Sequence, residues 1–314
     1  MKNILVTGGA GYVGTLLVQE LISLGYKVTV VDTMWFGDYL QDCNNLRKIK
    51  TNILDIDNIP MEGVDTIFHL ANIANDPTGD LDSKLTWEVN VLASKLLVEK
   101  AIKFGVKQFI YASSGSVYGI KEEEQVAEDL DLVPISDYNK TKMISERVLL
   151  SYQDQIKIVS IRPATVCGYS PRMRLDVSVN MLTVQALTKH EITVFGGMQV
   201  RPNIHIKDMV QTYIHFLDNP QLTGIYNAGF ENISIMDIAR LIAEKIDTKI
   251  TVTESNDPRS YRLNSDKLLK TGFNPRYNVK YAINEIIEKY NSGLLQDEEK
   301  YYNLKVMKQL GIGS

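Results

Sequence analysis

Tyr138 and Lys142 are one helical turn apart in the segment Tyr138-Asn139-Lys140-Thr141-Lys142, so a helix would present both on one face. Such a pair suits oxidation of an alcohol. Taking hydride from an alcohol carbon requires that the hydroxyl proton leave as well, and a free tyrosine, with a pKa of about 10, is a poor base at neutral pH. A nearby lysine ammonium and a positive nicotinamide ring stabilise the phenolate and bring its pKa toward the operating pH. A serine hydroxyl can hold the substrate oxygen in line, and Ser113-Ser114-Gly115-Ser116-Val117-Tyr118-Gly119 supplies candidates upstream. Alone, a tyrosine and a lysine at this spacing read as a half-buried aromatic and a solvated face residue. Their weight comes from the strand that ends in the serine cluster, because an open parallel sheet keeps its site at the C-terminal ends of its strands.

This chemistry needs an electron acceptor, and the start of the chain carries a place for one. Thr7-Gly8-Gly9-Ala10-Gly11-Tyr12-Val13-Gly14 contains both the GxxGxxG and GxGxxG spacings. The run follows an apolar strand pattern and opens a helical period at Val13, Leu16, Leu17, Leu21 and Leu24. Glycines there let the backbone turn tightly and approach a pyrophosphate at the helix N-terminus. Gly8, Gly11, Tyr12, Val13 and Gly14 are therefore candidate cofactor contacts. A second strand, 27–31, ends at Asp32. A carboxylate at that point accepts from both adenosine ribose hydroxyls and repels a 2′-phosphate, which favours NAD over NADP.

The elements that must position these groups alternate. Strands are expected at 65–70, 108–113 and 156–161, with helices at 81–104 and 136–152 between and after them. That rhythm implies an α/β fold with a doubly wound parallel sheet of the Rossmann type. Beyond about residue 165, prolines at 171, 202, 220 and 258 punctuate shorter elements, which read as a smaller C-terminal substrate-binding lobe. The expected division is a dinucleotide-binding domain over 1–165, with room for later strands to return to it, a substrate lobe over 166–292, and a charged tail over 293–314 lying at the surface or frayed.

Composition narrows the partners. The 314 residues are 44% hydrophobic and 23% charged with a net charge of −4, values of an ordinary globular chain with a sizeable core. A mildly acidic chain without a basic stripe argues against nucleic acid and against an anionic membrane. No apolar stretch approaches the roughly 18 residues that span a bilayer, and the N-terminal apolar run is too short for a secretory signal, so a cytoplasmic location is expected. Cys43 and Cys167 read as reduced thiols. No His/Cys cluster has metal-ligand spacing, so no metal is expected.

Taken together, the motifs resemble the extended short-chain dehydrogenase/reductases, specifically the NAD-dependent sugar-nucleotide epimerase/dehydratase branch. The resemblance runs from Lys2 to about Asn278 and extends to His69-Leu70-Ala71, Arg162-Pro163-Ala164-Thr165-Val166-Cys167-Gly168 and Arg201-Pro202-Asn203-Ile204-His205-Ile206-Lys207-Asp208. It implies that Ser114 is the catalytic serine, Tyr138 the general acid/base, and Lys142 the residue that binds the nicotinamide ribose. It implies further cofactor contacts at Asn52 and Ile53 for adenine, Leu70 and Ala71 along the pyrophosphate, and Pro163 beside the nicotinamide. Ser116, Asn180 and Arg201 are implied as substrate contacts, the arginine gripping phosphates. The position of another family arginine holds Glu254, which leaves Arg259 as the nearest substitute. The implied partners are a nucleoside-diphosphate sugar and a second copy of the chain, as a homodimer through the helices at 81–104 and 136–152.

Two departures bear on the reaction. Dehydratases of this branch carry an Asp-Glu pair directly after the catalytic residue, where this chain has Gly115-Ser116, so loss of water is disfavoured. Cys167 stands where many relatives have tyrosine, an expected alteration of the sugar pocket. The implied reaction is oxidation at C4 by NAD as the first half of a 4-epimerisation. The alternative is net C4 dehydrogenation, or 4-keto reduction, with the same residues. A non-catalytic NAD sensor is the reading from another class, and intact Ser114, Tyr138 and Lys142 argue against it.

Overall fold

The computed structural model describes residues 2–255 and 260–313. Strand β1 (Asn3–Thr7) turns at Gly8 into helix α1 (Tyr12–Ser23), which returns the chain to β2 (Lys27–Asp32) and β3 (Leu46–Lys50). Next come β4 (Thr66–His69), the short helices α2 (Asp76–Gly79) and α3 (Ser83–Trp87), and α4 (Ala93–Lys103). Strand β5 (Gln108–Ala112) precedes helix α5 (Asp137–Leu150), which leads to β6 (Lys157–Pro163). These strands, with β10 (Gly224–Ala228), form one seven-stranded sheet in the order β10-β6-β5-β4-β1-β2-β3. Every pairing in it is parallel. The interior strands are mostly apolar, and their residues are almost all buried, because helices cover both faces. Strand order reverses between β1 and β4, and the register pairs Thr7 with both Val31 and His69. The crevice at the C-terminal ends of these strands is where such a sheet binds its ligand.

Two elements differ from the pattern in the sequence. Strand β3 was not legible, because Arg47, Lys48 and Lys50 alternate with its apolar residues on an edge strand paired only to β2. The helix expected over 81–104 is broken: α3 and α4 are joined by a π-helical turn, Glu88–Leu92. The buried Asn90 inside it accepts from Ile73 N at 2.8 Å and donates to Ile73 O and to Thr141 Oγ1. Its carbonyl takes Ser94 and Ser145 hydroxyls. The wider turn thus serves bonds to a loop and to α5 that lie far away in sequence.

After β6 the chain builds the smaller lobe. Strand β7 (Thr165–Cys167), helix α6 (Ser178–Lys189), and strands β8 (Glu191–Phe195) and β9 (Val200–His205) lead into α7 (Ile206–Asp218). Beyond β10 come β11 (Glu231–Ser234), α8 (Ile235–Ala243), β12 (Lys249–Thr253), α9 (Asp266–Leu269) and α10 (Val279–Asn291). Strands β11-β9-β7 form one small sheet and β12-β8 another, and α6, α8 and α10 close an apolar core that includes Leu182, Ile238 and Ile283. The lobes are not contiguous in sequence. After residue 165, β10 joins the edge of the large sheet and Met209, Tyr213 and Phe216 of α7 pack into its core.

The expectation of a frayed tail is corrected. Leu295, Tyr301, Asn303 and Met307 are buried, and a last helix, α11 (Asn303–Gln309), docks on the large domain. The apolar spacing of Leu295, Tyr301, Val306 and Met307 was the signal among the charges. No helix among the described residues is long and apolar enough to cross a membrane.

Candidate active site

The glycine turn is shaped by close approach. Gly8 takes a φ of 73°, and a Cβ added there would lie 2.5 Å from Ala71 N. A Cβ at Gly14 would lie 2.2 Å from Gly8 O. Neither position has room for a side chain, so bare backbone lines the crevice. Gly11 is the N-cap of α1 and offers no side chain to the amides of the first turn, which leaves them to an anionic ligand. This cradle fits the pyrophosphate of a dinucleotide.

A single cavity of about 910 Å³ runs from this turn into the smaller lobe. Its walls bring together Gly8, Gly11, Tyr12, Val13, Gly14, Asp32, Asn52, Ile53, Leu70, Ala71 and Pro163 from the cofactor group, and Ser114, Tyr138 and Lys142 from the catalytic group. Ser116 and Arg201 line it as well. The Asp32 carboxylate accepts from Ala10 N at 3.0 Å and Met34 N at 2.8 Å. Burial raises its pKa while those two amides oppose the rise. Each oxygen keeps a second lone pair for a ribose hydroxyl. Asp32→Ala is expected to weaken NAD binding about tenfold or more, the scale of a charged hydrogen bond, and to narrow the preference for NAD over NADP. Titration of both cofactors checks this, and an unchanged preference would remove Asp32 from the role.

The candidate catalytic groups sit where β5 and α5 meet. Ser114 caps a short turn, accepting from Ser116 N at 3.2 Å, and its hydroxyl lies 2.7 Å from that of Ser116. Ser136 caps α5, which places Tyr138 in the first helical turn. Tyr138 and Ser114 line the same stretch of the cavity wall. Lys142 Nζ donates to Ala112 O at 2.6 Å and stands over the rings of Tyr111 and Tyr138. Burial raises the Tyr138 pKa, the nearby Ser114 hydroxyl and then the charge of Arg174 lower it, and Asp76 adds to the rise. Lys142 is the cation whose position over the Tyr138 ring is seen directly, at 5.9 Å from the centroid. Burial takes its own pKa well below the usual lysine value, with Glu146 opposing, and Arg174 is a second cation that acts on the phenol. His69 is sealed between Thr7 and Ser94, and burial, then Lys142, holds its pKa down to about 3. It is a neutral packing residue.

Two expectations at the substrate end, Asn180 and Cys167, do not fit the structure as stated. Asn180 is buried behind the wall, not on it. Its carbonyl accepts from Gly168 N at 3.0 Å, and its amide donates to Tyr12 Oη at 3.0 Å and Arg174 O at 2.9 Å. The Tyr12 hydroxyl in turn donates to Gly168 O at 2.6 Å. Asn180 thereby ties the glycine turn to the smaller lobe, and its polar atoms are spent on protein. Cys167 is also buried, packed in the smaller lobe's core with its thiol near Ile204 O, and so does not shape the sugar pocket. Arg259 lies outside the described residues.

Sequence reasoning missed several wall residues. Arg172 and Arg174 line the cavity from the loop after β7, and residues 302–305 of the tail line it too. Two arginines alternating just past Pro171 were the available signal. Arg174 Nε pairs with Asp176 at 2.7 Å, while its Nη2 is buried with no partner among the described residues.

A parallel sheet with a glycine turn on its first strand, and a Tyr-Lys-Ser group in the same crevice, define a dinucleotide-dependent oxidoreductase of the short-chain type. The comparisons name the family. Residues 4–229 match the model of the NAD dependent epimerase/dehydratase family, and the chain belongs to it. A protein of Bacillus subtilis (strain 168) named as an uncharacterized UDP-glucose epimerase, YtcB, is 33% identical over 80% of this chain and 84% of its own length. The structure of a UDP-glucose 4-epimerase from Thermotoga maritima with UDP-glucose matches at a TM-score of 0.83 and 27% identity, covering 93% of this chain and all of that one. The structure of MoeE5 in complex with UDP-glucuronic acid and NAD matches at 0.81 and 26%, covering 93% and 99%. The chain is an enzyme, and its cofactor is NAD.

Proposed function

We propose that this enzyme oxidises a nucleoside-diphosphate sugar at C4 as the first half of a 4-epimerisation. The observation that carries the reading is the meeting of Ser114, Tyr138 and Lys142 on one wall of the NAD cleft, with Lys142 Nζ over the Tyr138 ring. Bound NAD supplies the hydride acceptor. Tyr138 as phenolate takes the proton of the C4 hydroxyl and later returns it. Ser114 holds that oxygen in line, and Ser116 and Arg201 face the sugar and its phosphates. Lys142, anchored on Ala112 O, holds the nicotinamide ribose. Dehydration is disfavoured because Gly115-Ser116 stand where its acid and base would be, and a side chain at Gly115 would crowd Pro163 O, 3.1 Å from an added Cβ, and Tyr261 Oη, 3.3 Å from it.

Removing the second cation that acts on the phenol tests the proton step. In Arg174→Gln the phenolate loses its stabilising charge, so the acid limb of the kcat/KM profile should move to higher pH. An unmoved limb would take Arg174 out of the proton step. The reaction itself is tested by following NADH absorbance with the protein, stoichiometric NAD and a panel of UDP-, GDP-, dTDP- and CDP-sugars that includes UDP-glucuronic acid. A stereoisomeric product with little NADH establishes the epimerase. NADH that stays at one equivalent means net oxidation, and inertness toward every sugar overturns the reading.

The same reading takes the active form to be a cytoplasmic homodimer. The α3–α4 face exposes Trp87 and Leu92 beside α5, which supports a helical contact between copies. Free Cys43 and Cys167 fit a reducing compartment.

A further inference from the structure

One buried cation has no place in the sugar chemistry. Arg172 is 2% exposed, yet its partners are neutral: Nη2 donates to Asn303 Oδ1 at 2.6 Å and Nη1 to Met173 O at 3.3 Å. Its guanidinium lies over the Phe36 ring at 4.2 Å from the centroid. Nε is buried with no hydrogen-bond partner among the described residues, although Arg172 lines the cavity. Burial and the nearby Arg174 push its pKa down to about 10. Asp176 and Asp32 oppose that fall through space, but a buried guanidinium bonded only to neutral partners is costly unless a ligand supplies a bonded counter-charge.

The C-terminal segment holds this arginine in place. Leu175 N donates to Tyr301 O at 2.9 Å, and Asn303 N donates to Asp176, the carboxylate that also pairs with Arg174. Leu295, Tyr301 and Met307 seat the segment by burial. Asn303 is therefore positioned by its own backbone and core contacts, and its side-chain carbonyl fixes the guanidinium.

We propose that Arg172 is the cation for the diphosphate of NAD, and that the C-terminal segment 295–309, through Asn303, is part of the cofactor site. Phe36 lies just past Asp32, and Asp32 lies within the electrostatic reach of Arg172. The ribose that Asp32 would hold is esterified to the diphosphate at its 5′ carbon. The diphosphate is also the only anionic part of NAD. A nucleoside-diphosphate substrate carries the same group, but Arg201 faces that end, on the smaller lobe's sheet.

Binding tests this without turnover, using Trp35, which lines the cavity, as a fluorescence probe. The ligands are NAD, ADP-ribose, adenosine and UDP. Arg172→Gln should weaken NAD and ADP-ribose by roughly 10–100-fold, the scale of a charge-assisted hydrogen bond, and leave adenosine and UDP unchanged. Asn303→Ala should show the same selectivity, with faster NAD release. Unaltered NAD affinity in Arg172→Gln, a loss shared equally by adenosine, or a loss confined to UDP would each overturn the proposal. If Arg172→Gln does not fold, Asn303→Ala decides alone, and unchanged NAD release in it sinks the assignment. The assay does not depend on which sugar is turned over, so failure of the proposed reaction and failure of this assignment are separate results.

Discussion

Tyr138→Phe should lower kcat for sugar oxidation by roughly two to four orders of magnitude, the usual worth of a positioned general acid/base, and leave NAD affinity nearly unchanged. The ring fills the same space in both proteins, so packing against α2 is kept. That packing is close, since a Cβ at Gly79 would lie 2.9 Å from Tyr138 Cβ. Only the hydroxyl, which shares the cavity wall with Ser114, is lost. Single-turnover NADH formation measures the chemical step, and NAD titration measures the site. Parallel losses of both would mean that the ring organises the cleft instead of moving a proton. Full retention of turnover would remove Tyr138 from catalysis and send the search for a base elsewhere along the cavity.

Glu146→Ala should destabilise the fold by about 3–5 kcal/mol, because it strands a buried arginine. Glu146 and Arg162 are both nearly inaccessible, and the carboxylate receives Arg162 Nη2 at 2.5 Å, Arg162 Nε at 3.1 Å and Ser160 Oγ at 2.8 Å. Arg162 continues to Tyr118 Oη at 2.6 Å, which donates to Asn227 Oδ1 at 2.8 Å. The chain of bonds locks α5 to β6 and β10. Without the carboxylate, the guanidinium keeps only neutral partners in a dry interior. A fall in Tm of roughly 5–15 °C is expected, with Glu146→Gln falling less because it keeps the shape and one acceptor. Glu146 also opposes the lowering of the Lys142 pKa by burial, so the variant should carry a weaker lysine charge as well. Thermal melts decide the first point. An unmoved midpoint would mean that water reaches Arg162 or that the network relaxes around it.

Much of the frame was legible because it depends on local rules. The βαβ unit, the glycine turn, Asp32 at the end of β2, and the one-turn spacing of Tyr138 and Lys142 follow from backbone sterics and side-chain periodicity within short windows. The features that were not legible have partners far off in the chain. Asn90 widens its helix because Ile73 and Thr141 take its amide. Asn180, which looked like a diphosphate contact, is consumed by Gly168, Tyr12 and Arg174. Strand β3 was masked by charge that an edge strand tolerates.

Local patterns in the chain were enough to specify a parallel sheet with a dinucleotide cleft at its first strand and a Tyr-Lys-Ser group in reach of it. Which charges act there was settled by the folded packing. Lys142 and Arg174 are both cations on paper. Burial weakens the first and its bond to Ala112 O holds it over the Tyr138 ring, while the second pairs with Asp176 and acts on the phenol through its charge. Arg172 and the docked tail became part of the site for the same reason. The strength of a charge depends on how much water the whole fold removes around it, and desolvation belongs to the assembled packing, not to any one segment.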